Sequence, residues 1–284
     1  MSAGIERDQG HAAGDWSIDA HCIDCSASRT VAPGLIVSRE GRSVFARQPT
    51  TPAELMAAWR ARLLCPVAAV RTKSPLSPPD GVFPEEMTRG VYRLGYNAPS
   101  SYGAHSFLIV RPDGNVMVDA PRWTRQVVGA LDKCGGLSDI LLTHQDDVAD
   151  ADRYAAHFAA RVLIHQADRK AAPYATEIFE GYDPIRVHPD LLAIPVPGHT
   201  RGSMVYLWQE QCLFTGDSLA WSFAENAFEA HRDFCWYSWA EQRRSLARLL
   251  DYRFEWIFAG HGGSHRLPVE DMQLRLRAWL AKMH

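Results

Sequence analysis

The chain has 284 residues, a formal net charge of −3, an apolar fraction of 46% and a charged fraction of 22%, which suits one large domain with a small one. Near-neutral charge with scattered arginines excludes a field that gathers nucleic acid or an anionic membrane. No run reaches the about 18 apolar residues of a membrane helix, and the polar start MSAGIERDQGHAAGDW has no apolar h-region, so a cytoplasmic protein is expected.

In chain order, the first chemical feature is Cys22-Ile23-Asp24-Cys25, with Ser28 following and Cys65-Pro66 far downstream. Without an export signal, metal ligation or burial is expected of the six cysteines rather than disulfides. Cys134, Cys212 and Cys235 stand alone among apolar neighbours and read as small buried hydrophobes. GLIVSR and SVFAR, on either side of Glu40-Gly41, predict a short hairpin. TPAELMAAWRARLLCP predicts a helix: Thr51 as N-cap, Pro52 at the first position, Glu54 completing a capping box, and Pro66 ending it. The segment RTKSPLSPPDGVFPEE has four prolines and no apolar period, the composition of an extended linker. The expected division is a module over 15–72, a linker over 73–87 and a body over 88–284.

The body opens with strand-like segments, GVYRLGY, SFLIVRP and VMVDA, the last two joined by a turn at Asp113-Gly114. TRQVVGALDKCGG then reads as a helix closed by glycine, DILLTH as a buried strand, DADRYAAHFAA as a helix and RVLIH as a strand. LLAIPV, SMVYLWQ and CLFTGD are further strands, and SWAEQRRSLARLLD and VEDMQLRLRAWLAKMH are closing helices. Local strand pairing followed by alternation with helices predicts an α+β protein of layered sheets flanked by helices.

Polar residues recur where these strands end: His144 after DILLT, His199 in PVPGHTRGS, Asp217 ending CLFTGD and His261 in IFAGHGG. Imidazoles and carboxylates beside glycines that admit close backbone approach are what a divalent metal needs. A lone histidine in such a loop is more often structural, but four at successive strand ends point to one site.

These motifs resemble the metallo-β-lactamase superfamily over residues 88–265, most specifically at PGHTRGS, FTGDS and GHGG. The resemblance implies an αββα sandwich with one or two metals, zinc or iron, in a cleft at one sheet edge. It also implies that His199, Asp217 and His261 are ligands and that Asp217 bridges two metals. The first motif departs from the family's T-H-x-H-x-D-H, reading T-H-Q-D-D-V-A-D-A. His144 matches the first histidine and Asp146 replaces the second. Val148 and Ala149 fall where the D-H pair belongs, unless a two-residue slip brings Asp150 to the aspartate position. The expected metal therefore sits on His144, Asp146, His199 and Asp217, with a weaker second position near Asp150 and His261. For Asp150, ligation and helix capping stand open together. Asp147 and Asp152 read as structural.

Cys22, Cys25, Ser28 and Cys65-Pro66 resemble a single-cluster bacterial-type ferredoxin, whose pattern is C-x-x-C-x-x-C with a distant C-P. The resemblance implies a small ferredoxin-like α+β module ahead of the sandwich, with Ser28 in place of the third cysteine. Three thiolates remain for a 3Fe-4S or 4Fe-4S cluster; the alternative is a module that has lost its cluster and only packs or docks.

His231, Arg232 and Tyr237, near CWYSWAEQ, and His105 and Tyr102, in SSYGAH, are the candidates for a substrate pocket. The leading expectation is hydrolysis of a small molecule by a metal-bound hydroxide, with Asp146 or Asp150 orienting it and His261 near the developing oxyanion. Two alternatives stand beside it: an oxidoreductase in which the cluster, served by a redox partner, feeds electrons to iron in the sandwich, and a non-catalytic binding protein.

Overall fold

A computed structural model describes residues 10–73 and 77–283. The first residues of the polar N-terminal stretch and residues 74–76 of the proline-rich segment lie outside it.

The small module begins with strand β1 (Trp16–Ile18) and helix α1 (Ala27–Val31), followed by the hairpin β2 (Ile36–Arg39) and β3 (Arg42–Phe45). Helix α2 (Pro52–Leu64) and strand β4 (Val70–Thr72) complete it, β4 closing back antiparallel on β1. The hairpin turn places Glu40 and Gly41 both at positive φ, the conformation that matches the twist of a two-residue loop. At the start of α2 the capping box forms as the sequence requires: Thr51 Oγ1 accepts from Glu54 N at 3.2 Å, and Glu54 Oε2 accepts from Thr51 N at 3.2 Å. Trp16, Phe45, Trp59 and Leu64 fill the module's core. Val82 and Phe83, inside the span read as linker, pack on that same core.

The body opens with β5 (Glu85–Thr88), β6 (Val91–Arg93), β7 (Phe107–Ile109) and β8 (Val116–Val118). Then come α3 (Arg125–Lys133), β9 (Asp139–Leu141), α4 (Ala151–Phe158), β10 (Arg161–His165) and β11 (Glu177–Phe179). These strands form one sheet in the order β11-β10-β9-β8-β7-β6-β5. The second half runs β12 (Ile185–His188), β13 (Leu191–Pro195), β14 (Met204–Trp208), β15 (Cys212–Gly216), the small pair β16 (Ala220–Ser222) and β17 (Ala227–Glu229), and α5 (Trp239–Ala247). It closes with β18 (Trp256–Ala259), β19 (His265–Arg266) and α6 (Val269–Leu280), giving a sheet ordered β12-β13-β14-β15-β18-β19.

Side-chain alternation explains why the strands read as continuous apolar runs: both faces are covered. Phe107, Ile109, Val116, Val118, Leu141 and Leu163 face Met204, Tyr206, Phe214 and Phe258 between the sheets. The intervening Leu108, Met117, Ile140 and Val162 pack outward with Val127, Leu131 and Tyr154 of α3 and α4. On the other side Val205, Leu207, Leu213 and Ile257 meet Leu246, Met272 and Leu276 of α5 and α6. The result is an αββα sandwich. The loops that leave β8, β9, β13, β15 and β18 carry Asp119, His144, His199, Asp217 and His261 and come together at one edge.

Candidate metal centre and its neighbouring thiol pocket

Four donor atoms meet in the cleft. His144 Nε2 lies 3.6 Å from Asp217 Oδ2 and 3.8 Å from Asp146 Oδ2. His199 Nε2 lies 3.4 Å from Asp146 Oδ2 and 3.8 Å from Asp217 Oδ2. His144, His199 and Asp217 each offer an atom within 4.8 Å of the others, a spacing that suits one ion among them, and Asp146 lies beside the two histidines. His144 Nε2, His199 Nε2 and Asp146 Oδ2 are buried atoms with no hydrogen-bond partner, an expensive arrangement unless a cation satisfies them.

Neighbouring groups hold these donors in place. Thr143 Oγ1 contacts Asp119 at 2.9 and 3.0 Å and His144 Nδ1 at 3.0 Å. Where the hydroxyl proton goes to Asp119, the oxygen accepts from His144 Nδ1–H, leaving Nε2 free to face the cleft. Asp168 performs a similar task from below, accepting from Gln145 N at 3.1 Å and Gly202 N at 3.1 Å, and from Thr200 Oγ1 at 2.5 Å. It thereby ties the loop of His144 to the loop of His199.

A second group of donors shares Asp217. Asp147, Asp217 and His261 each offer an atom within 4.8 Å of the others. Asp147 is 1% exposed, and neither of its carboxylate oxygens has a hydrogen-bond partner. Gly260 admits this closeness: a Cβ there would lie 2.8 Å from Asp217 Oδ1 and 2.9 Å from Asp147 Oδ2. His261 Nε2 meets the carbonyl of Tyr102 at 3.3 Å, while Nδ1 lies 2.9 Å from both oxygens of Asp217. Nε2 thus faces that carbonyl and Nδ1 faces the Asp217 carboxylate at the cleft.

The charges follow from this packing. Burial pushes the His144 imidazole down to about 4, so it is neutral and able to ligate at pH 7. Burial opposes the Asp217 carboxylate, but His261, His144 and His199 outweigh it and hold Asp217 well below the usual range. The His199 imidazole beside it lowers Asp146. Burial, then the carboxylates of Asp217, Asp119 and Asp146, push Asp147 well above its ordinary value.

Several sequence readings change here. Asp150 is not at the second position: its Oδ2 accepts from Trp123 N at 2.6 Å, and it makes no cap bond to α4. Asp147, read as structural, takes the place instead. Gln145–Asp147 form a 3-10 turn, in which residues three apart eclipse, so Asp147 falls back over His144. His105 does not face the cleft. It is 1% exposed, and its ring spans Asn97 Nδ2 at 3.2 Å and Thr30 Oγ1 of the small module at 3.0 Å. Cys134 is exposed and Cys235 half-buried, so neither is a core hydrophobe. Tyr237 N donates to the His199 carbonyl at 3.1 Å, as does Trp236 N at 2.8 Å. Trp236, 61% exposed with its ring 6.3 Å from that of His199, is an aromatic wall the pocket candidates omit. His231 and Arg232 lie farther along that exposed segment, His231 packing on Phe234. Asp119 was also missed: a lone aspartate after VMV carries no local signal.

In the module, Cys22, Cys25, Ser28 and Cys65 line one pocket with Ile18, Ile23, Pro66 and Val70. Backbone amides already point at the sulfurs: Ala69 N lies 3.2 Å from Cys65 Sγ and Asp24 N 3.4 Å from Cys22 Sγ. Burial pushes the Cys25 thiol up to about 11, a protonated state that a bound iron would reverse. Three sulfurs and the serine around one cavity fit an iron–sulfur cluster.

Comparison with known proteins bears on both parts. Residues 18–72 match the family model of the 4Fe-4S single cluster domain of Ferredoxin I. No curated protein sequence matches the chain. Among solved structures, VMB-1 is 14% identical with a TM-score of 0.52, covering 69% of this chain and 96% of that one. The BLEG-1 B3 metallo-beta-lactamase is 18% identical with a TM-score of 0.51, covering 62% of this chain and 93% of that one. An archaeal metallo-beta-lactamase superfamily protein from Sulfolobus tokodaii is 18% identical with a TM-score of 0.48, covering 69% and 86%. Among the described residues no helix is long and apolar enough to cross a membrane. The body of this chain has the metallo-β-lactamase fold, and it is preceded by a segment that matches single-cluster ferredoxin domains.

Proposed function

We propose that the protein is a metal-dependent oxidoreductase that uses an iron ion at His144, His199, Asp217 and Asp146, with the N-terminal module as its electron donor. The single observation that carries this reading is the placement of the thiol pocket, which packs against Gly103 in the loop whose Tyr102 carbonyl meets His261 Nε2. The two imidazoles with the Asp217 carboxylate resemble the donor set of non-haem iron, and Asp146 is a second carboxylate beside them. Asp146, with its side chain 42% exposed, lies at the open side, where a substrate would enter beside Trp236 and Tyr237. When bound, iron supplies one-electron chemistry; burial keeps the His144 imidazole neutral, Thr143 orients it, and Asp168 ties its loop to that of His199. Anaerobic reductive titration of iron-loaded protein should take up electrons at two centres, and the His199→Ala variant only at the cluster. Full zinc occupancy of the body with no reducible iron would contradict the reading.

A second reading, hydrolysis of a small molecule, is favoured by the donor pair that shares Asp217. Two ions bridged by one carboxylate activate water and polarise a substrate oxygen, and Asp147 supplies the acidic group such a pair needs. Zinc alone, with turnover insensitive to the cysteines, is the outcome expected of that reading. The buried donor atoms without partners favour a bound metal over a site that has lost its ion.

A further inference from the structure

The small module and the body meet over a short stretch of backbone, Ser101–His105. Tyr102 and Gly103 both adopt positive φ, 47° and 87°. Side-chain and backbone hydrogen bonds fix them there: Gly103 N donates to Ala98 O at 3.0 Å, Asn97 Nδ2 to Gly103 O at 2.7 Å, and His105 N to Gly260 O at 2.8 Å. Gly103 faces the thiol pocket so closely that a Cβ there would lie 2.8 Å from Cys25 Sγ and 3.1 Å from Pro66 Cγ. The peptide unit joining Tyr102 to Gly103 has its other end at the metal centre, because the Tyr102 carbonyl meets His261 Nε2. The Tyr102 hydroxyl donates to the Ile23 carbonyl inside the Cys22–Cys25 loop, and its ring packs 6.2 Å from that of His261. One peptide unit thus touches a sulfur of the pocket on one side and a cleft imidazole on the other.

We infer that the Tyr102–Gly103 peptide is the electron route between the module's cluster and the metal centre, with Tyr102 positioning it. This deepens the redox reading above and rests on it. Electron transfer weakens steeply across gaps and is carried better by covalent and hydrogen-bonded links. From Cys25 Sγ the route crosses one van der Waals contact to Gly103, then bonds to the Tyr102 carbonyl, then the hydrogen bond to His261, whose Nδ1 faces Asp217. One electron leaves the reduced cluster, which returns to its oxidised level, and enters a ferric ion in the body, which becomes ferrous. A low-potential one-electron donor, dithionite in vitro, refills the cluster, and no covalent bond is made or broken.

The interface has other contacts that lie off this route and serve as controls. Arg60 Nη1 lies 2.9 Å from Glu85 Oε1, and Arg122 Nη2 donates to the Leu63 carbonyl at 3.4 Å. The experiment is anaerobic stopped-flow on the full chain, cluster reconstituted and body loaded with ferric iron, pulsed with substoichiometric dithionite. The visible band of the cluster bleaches and then recovers as its electron moves on; zinc in the body, which has no redox chemistry, should abolish recovery.

Gly103→Ala should slow recovery by about tenfold or more, given how steeply such steps depend on position. Tyr102→Phe, which keeps the ring and loses the anchor on Ile23, should slow it by less. Arg60→Ala should leave the rate unchanged; cluster content should match wild type in Tyr102→Phe and Arg60→Ala, and the Gly103→Ala rate is read from the cluster-loaded fraction alone. Unchanged recovery in both Gly103→Ala and Tyr102→Phe would overturn the route while leaving the redox reading intact, and so would equal slowing by Arg60→Ala. A wild-type protein that takes up no cluster, or whose cluster never recovers with ferric iron present, overturns the redox reading and the route together.

Discussion

The two donor sets of this molecule have both lost residues that their relatives' motifs contain, and they differ in how the fold responds. In the body, Asp146 stands where the first motif has its second histidine, and the local turn carries Asp146 and Asp147 into the cleft, leaving buried oxygens without partners. In the module, Ser28 stands where a cysteine belongs and still lines the pocket, but a neutral hydroxyl contributes far less to an iron cluster than a thiolate. The body has a carboxylate in place of a neutral imidazole, whereas the module has weakened one corner of its site. The lesson is that a missing motif residue need not mean a missing donor, since backbone geometry decides what fills the gap.

Breaking the body's set gives the largest effect. Asp217→Ala removes the oxygen shared by both groups of donors and should abolish metal uptake by the body, read by elemental analysis, while the visible spectrum of the module persists. Cys65→Ala is the mirror experiment: the cluster should be lost and the body should keep its metal. A body that loses metal on Cys65→Ala would break the comparison, because the two sets would then not be separable.

Finer substitutions sharpen it. Asp147→Asn should weaken a second ion by about tenfold or more without touching the first, measured by titration calorimetry with manganese or zinc. Asp150→Asn should leave metal content unchanged and cost about 1–3 kcal/mol of stability through the weakened bond to Trp123 N, seen in thermal denaturation. Ser28→Cys should lengthen the lifetime of the cluster in air. The smallest effect belongs to Thr51→Ala, about 1 kcal/mol from the lost cap of α2, confined to the unfolding of the module.

Much of this was legible in the sequence because it is local. The capping box at Thr51, the two-residue turn at Glu40-Gly41 and the strand ends bearing His144, His199, Asp217 and His261 each depend on residues a few positions apart. What stayed hidden depends on direction or on long-range contact. Asp146, Asp147 and Asp150 are the same residue type within five positions, and only the 3-10 turn after β9 separates the two that face the cleft from the one that holds Trp123. His105 and Tyr102 read as pocket residues because nothing in SSYGAH announces that Thr30 and Ile23 lie across an interface. Asp119 gives no signal until Thr143 is seen beside it.

The most direct test of the whole account is a crystal structure of anaerobically purified protein with anomalous data at the iron and zinc edges. The account predicts iron between His144, His199, Asp146 and Asp217, and an iron–sulfur cluster enclosed by Cys22, Cys25, Ser28 and Cys65 against Gly103. Zinc alone in the body, with no iron signal in the thiol pocket, would contradict it.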